Sequence, residues 1–143
     1  MKDHIVKKSI VINAPAAVVW GALTDPEKTK AYFFHCRVYS DWKAGSKITF
    51  KGRMFFIIPI EMRGEIKQIK PGKLLQYTIA NKSDKSGTFS TVTDELTETG
   101  GKTELKIMDD VGQGEGAEKR YKRSVKGWDK VLKALKEFVE EDS

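Results

Sequence analysis

Ala14-Pro15-Ala16-Ala17-Val18-Val19-Trp20-Gly21-Ala22-Leu23-Thr24-Asp25-Pro26 decides how this chain is read. Pro15 suits the first turn of a helix, where its missing N–H costs nothing. Val18, Val19, Ala22 and Leu23 give that helix one apolar side, and Thr24-Asp25-Pro26 breaks it. Asp25 is then placed to cap a second short helix running to about Tyr32. Before this pair, Ile5 to Ile12 reads as a strand. After it come strand-patterned segments, and the chain ends in one long amphipathic helix from Ala117 to about Glu140. On that helix Tyr121, Val125, Trp128, Leu132, Leu135 and Val139 recur at spacings of three and four, one apolar stripe about five turns long.

The middle of the chain alternates. Phe33 to Tyr39 is read as the second strand, and Asp41 to Ser46 as a turn into Lys47-Ile48-Thr49-Phe50-Lys51, with Ile48 and Phe50 inward. Ile60, Met62 and Ile66 share the inner face of the next strand, and Leu75, Tyr77 and Ile79 that of the one after Lys70-Pro71-Gly72-Lys73. Asn81 to Gly87 is a polar loop. Thr88 to Leu96 and Thr103 to Met108 are the last two strands, joined through Gly100-Gly101, a tight-hairpin signal. Gly112, Gly114 and Gly116 predict a flexible approach to the terminal helix, placed to gate an interior space.

One strand, two short helices, a meander and a terminal helix make an α+β helix-grip architecture. A curved antiparallel sheet of six to seven strands grips the long helix, and residues 1–143 fit one domain. Val18 to Glu27, Lys43-Ala44-Gly45-Ser46-Lys47-Ile48, Arg63-Gly64-Glu65-Ile66, Lys73 to Thr78 and Gly127-Trp128, taken in order, resemble the activator-of-Hsp90-ATPase-like domains of the START and Bet v 1 (SRPBCC) superfamily. The resemblance implies the same helix-grip fold. For function it implies binding of lipids, hormones or polyketides, cyclase or aromatase activity, or a co-chaperone role in the stress response directed at an Hsp90-like chaperone. Shared fold alone chooses none of these.

Composition narrows the classes. The 26 Lys and Arg against 20 Asp and Glu give a net charge of +6. The basic residues are interleaved with acids, and the one dense run, Lys119-Arg120-Tyr121-Lys122-Arg123, reads as a solvated helix face rather than a nucleic-acid site. Cys36 is the only cysteine, so neither an internal disulfide nor a CxxC motif exists. His35 and Cys36, adjacent in a strand, would point to opposite faces and cannot form a dyad. Two histidines and scattered carboxylates offer no metal-ligand spacing. The glycine-alternating loop lacks the GK[ST] ending of a phosphate loop. No stretch has a signal peptide's apolar run or spans a bilayer, so a soluble cytoplasmic protein without cofactor is expected.

The candidate site is the space between sheet and long helix, lined by Phe50, Met62, Tyr77, Val92, Asp94, Tyr121, Trp128 and Leu132. Large side chains among these predict a cavity of modest size. Asp94 shares parity with Val92 and Leu96 and therefore points inward if the strand is regular; a bulge would turn it out. Asp94, Tyr77 and Thr78 are the polar groups expected to orient a ligand. Non-catalytic binding of a small apolar or amphipathic molecule is the leading reading. A chaperone-directed interaction through Lys119, Arg120, Lys122 and Arg123, and a cyclase-like enzyme using Asp94, are the alternatives. Met54 to Ile60, apolar throughout, is either a covered strand, a cavity mouth or a homodimer contact.

Overall fold

In the computed structural model, which describes residues 4–54, 58–81 and 89–141, the expected order of elements is realised with shifted ends. Strand β1 spans Ile5–Ile12, helices α1 and α2 span Ala16–Thr24 and Pro26–Tyr32, and β2 is Arg37–Ser40. The meander continues as β3 (Lys47–Met54), β4 (Ile58–Lys70), β5 (Leu74–Asn81), β6 (Ser90–Thr99) and β7 (Lys102–Asp110), before α3 (Ala117–Glu141). The seven strands form one antiparallel sheet in the order β1-β7-β6-β5-β4-β3-β2. Neighbours in sequence are thus neighbours in space, except that β1 closes against β7. The helix-grip fold read from the sequence is the one observed.

Local chemistry sets the joints. The Asp25 side chain accepts a hydrogen bond from Glu27 N at 2.9 Å and so caps α2. Gly100 and Gly101, both at positive φ, make the β6–β7 turn. Gly64 lies where β4 and β5 approach so closely that a Cβ there would sit 1.6 Å from the Thr78 carbonyl oxygen.

The second strand is where sequence and structure part. Phe33 to Cys36 form a turn, with Phe34 at φ 49° and His35 at φ 60°, and the strand begins only at Arg37. The cause lies across the sheet: a Cβ on Gly52 would stand 2.5 Å from the His35 carbonyl oxygen, so only a glycine in β3 lets this turn nestle there. Cys36 is in that turn and fully buried, as a small core residue. Phe55, Phe56 and Ile57, the centre of the apolar run, and most of the Asn81–Gly87 loop lie outside the described residues. Ile58, at the start of β4, is 53% exposed.

The core forms between the sheet and the helices. Ile12, Val19, Ile48, Ile66, Leu75, Leu105 and Leu135 are its fully buried apolar members. Helix α3 packs most closely on β1 and α2. Lys136 Nζ donates to the Val11 carbonyl at 2.8 Å, and Glu140 accepts from Asn13 N at 2.9 Å. Its C-terminal half is therefore anchored on β1, while its N-terminal half leans over the meander strands. Among the described residues no helix is long and apolar enough to cross a membrane.

Candidate functional site

Two spaces lie under α3, divided by one wall. The inner one is a cavity of about 20 Å³, bounded by Tyr32, Phe33, Phe50, Tyr77, Asp94, Trp128 and Leu132 among others. That is room for about one water molecule. Aromatic packing explains the small size: Phe33 stacks on Phe50 with centroids 4.9 Å apart, Phe50 meets Tyr77 at 5.8 Å, and Trp128 sets its edge to Phe33 at 6.0 Å. The outer space is a groove of about 530 Å³ between the first half of α3 and β4, β5 and β6. Met62, Tyr77, Ile79, Val92 and Trp128 form its floor, Phe34 and Val111 its ends, and Arg120, Arg123, Lys126 and Lys130 its border. Phe33, Tyr77, Trp128 and Val131 line both spaces and are the wall between them.

The residues named from the sequence divide accordingly. Phe50, Asp94 and Leu132 face the inner cavity, Met62 and Val92 the groove, and Tyr77 and Trp128 both. Tyr121 lines neither: it is half-buried over the start of β1, edge-on to His4 at 6.1 Å. The apolar stripe of α3 crosses the sheet obliquely, so its first turn falls beside the strand edge rather than above the interior. Thr78 is also elsewhere. Its hydroxyl accepts from Glu65 N at 3.1 Å, on the strand face opposite Tyr77.

Asp94 does point inward, at 3% exposure, and β6 is regular there. It faces a second carboxylate that the sequence reading passed over. In the β6–β7 register Val92 stands opposite Asp109 and Asp94 opposite Ile107, so the two aspartates are diagonal neighbours on the inner face. Asp109 Oδ2 accepts from Ser124 Oγ at 2.5 Å and from Trp128 Nε1 at 2.9 Å, which fixes the indole in the wall. Among the described residues neither Asp94 Oδ1 nor Asp109 Oδ1 has a hydrogen-bond partner. Burial, and then the charge of Asp109, push the Asp94 carboxyl up from 3.8 to about 7. Burial and these same carboxylates also raise Tyr77. The Tyr32 hydroxyl donates to the Ala22 carbonyl at 2.7 Å. Asp94 can therefore hold a proton near neutrality.

The alternation Thr103, Leu105, Ile107 would have carried Asp109 inward had the strand been extended past Met108. Ser124, one turn before Trp128, follows from the same helical face. Other chemistry is not assembled here. Cys36 is buried, its thiol pushed up to about 11, and its Sγ donates to the Phe34 carbonyl at 3.6 Å. Among the described residues no cluster of His, Cys, Asp or Glu could hold a metal ion. The glycine loop is tied rather than loose. Arg120 donates to the carbonyls of Val111 at 3.0 Å, Glu115 at 3.0 Å and Gln113 at 3.4 Å.

Residues 13–140 match the family described as Activator of Hsp90 ATPase homolog 1-like protein. The chain belongs to that family. The Hsp90-activator-like fold recurs in many solved structures. ChR145 from Cytophaga hutchinsonii is 35% identical, with 99% of this chain and 98% of that one covered and a TM-score of 0.77. Protein NE0264 from Nitrosomonas europaea is 17% identical, with coverage of 97% and 96% and a TM-score of 0.82. DynU16, a protein of the dynemicin biosynthetic locus, is 21% identical at TM-score 0.80, with 97% of this chain matched to 48% of that one. The last two establish likeness of fold alone. No curated protein matches the chain.

Proposed function

We propose that this protein binds a small apolar or amphipathic molecule, without transforming it, in the groove between α3 and strands β4 to β6. The observation that carries this reading is the groove itself, about 530 Å³ with an apolar floor of Met62, Tyr77, Ile79, Val92 and Trp128. Ligand sites of small molecules fall in this volume range and combine apolar lining with a few convergent polar groups. Here those groups are Asp109, Ser124 and the bordering cations. Burial of the guest's apolar surface supplies the driving force, about 25 cal/mol per Å² before the costs of association.

A second reading is supported by Asp94. A carboxyl held at about 7, beside a second carboxylate and an interior cavity, is suited to general acid or base work in a cyclase-like enzyme. The inner cavity beside it has room for a water, not a substrate, so this reading requires the wall to open. An Hsp90-directed interaction stands behind both. Of the basic run on α3, Arg120 is spent on loop carbonyls and Lys122 pairs with Glu118 at 3.6 Å.

Native mass spectrometry of freshly purified protein, compared with the denatured chain, tests the leading reading. A reproducible extra mass of a few hundred daltons, lost on denaturation, is the expected result. A bare mass under gentle conditions, together with no binding of apolar probes, overturns it.

A further inference from the structure

The border of the groove is more specific than its floor. Arg123, Lys126 and Lys130 follow one another at i, i+3 and i+7, which sets them along one edge of α3. All three are exposed. None forms an ion pair with a described residue, whereas Asp129, between them in sequence, turns away to Lys8 on β1 at 3.0 Å. Over this stretch of the helix Asp129 lies on the β1 side and these three cations on the groove side. The only acidic residue lining the groove among the described residues is Asp109, buried at its floor and bonded to Ser124 and Trp128. Three cations with no counter-ion among the described residues, over an apolar floor, form a matched pair of surfaces, one for a negative head and one for an apolar body.

Resting on the binding reading above, we propose that the groove selects an amphipathic anion. Its carboxylate, sulfonate or phosphate head is held by Arg123, Lys126 and Lys130, and its apolar body lies on Met62, Ile79 and Trp128. Polarity fixes the orientation. A head pushed inward would meet the Asp109 carboxylate, whereas outward it meets cations and water. The guest is a single dissolved molecule, because a groove of about 530 Å³ has the volume of a small-molecule site.

Two probes with the same rings separate the parts of the argument: 8-anilinonaphthalene-1-sulfonate and its uncharged counterpart N-phenyl-1-naphthylamine. Fluorescence titration at low salt should show the sulfonate binding at least about tenfold more tightly, an advantage that shrinks in 0.5 M salt because screening weakens its attraction to the exposed cations. The triple variant R123E/K126E/K130E should remove the advantage. Gly127→Leu should abolish binding of both probes, since a Cβ at Gly127 already stands 3.6 Å from Phe34 and a longer side chain enters the groove. Equal affinities for the two probes in the unmodified protein overturn the anion inference and leave groove binding standing. Binding of neither probe overturns both. A sulfonate preference that survives the triple variant, or capture by anionic phosphatidylglycerol vesicles with no binding of the dissolved sulfonate, also overturns the inference.

Discussion

Asp94→Asn changes one atom at the centre of the interior and should make the protein more stable at alkaline pH. The carboxyl of Asp94 is 3% exposed, faces Tyr77 on β5, Tyr32 on α2 and Asp109 on β7, and ionises at about 7 rather than 3.8. Its native pKa is raised, so the folded state holds its proton where the unfolded chain has lost it. Stability is therefore undiminished below about pH 4, falls between about pH 4 and 7, and remains reduced above. At about 1.4 kcal/mol for each tenfold change in the proton equilibrium, the ionised form costs the folded protein about 4 kcal/mol. Asparagine has nearly the same shape and never ionises. Urea unfolding of both proteins from pH 4 to pH 9 isolates this group, because every other titration cancels in the difference. The variant should gain on the wild type steadily up to about pH 7 and then hold a constant lead of about 4 kcal/mol over the offset at pH 4. A difference that stays flat across this range, or one that grows in the opposite sense, refutes the assignment of Asp94 as a buried, uncompensated carboxyl.

Gly52→Ala should destabilise the protein by about 1–3 kcal/mol, since its methyl would meet the His35 carbonyl at 2.5 Å and backbone must move to admit it. Near-UV circular dichroism should change with it, because the displaced turn carries Phe33 and Phe34. The Cys36 thiol, fully buried and pushed up to about 11, should react with a disulfide reagent at pH 8 at least about a hundredfold more slowly in the native protein than in urea. Comparable rates would place that thiol at the surface.

The elements were legible wherever local chemistry governs them. Pro15, Asp25 and Pro26 punctuate the short helices, Gly100-Gly101 turns the last hairpin, and strand parity placed Asp94 inside. What escaped the sequence was imposed from a distance. Phe34 and His35 adopt left-handed backbone with no glycine of their own, because the permissive residue is Gly52 on a different strand. Asp109 is the first of two acids beyond the expected end of the last strand at Met108, yet β7 runs on through Asp110. The cations of α3 looked like an ordinary solvated face. Their place at the border of a groove follows from how α3 lies on the sheet, which only the assembled fold shows. Tyr121 lines neither space, because it packs edge-on to His4 at the start of β1.

The wall of Phe33, Tyr77, Trp128 and Val131 gives the groove a fixed depth. Each methylene a guest adds within that depth contributes about 0.8 kcal/mol, and each one beyond it stays in water and contributes nothing. On the binding reading proposed above, the protein is thereby a ruler. Its affinity for a homologous series should then rise with length and level off, with the mark set at Trp128, which is pinned by the buried Asp109.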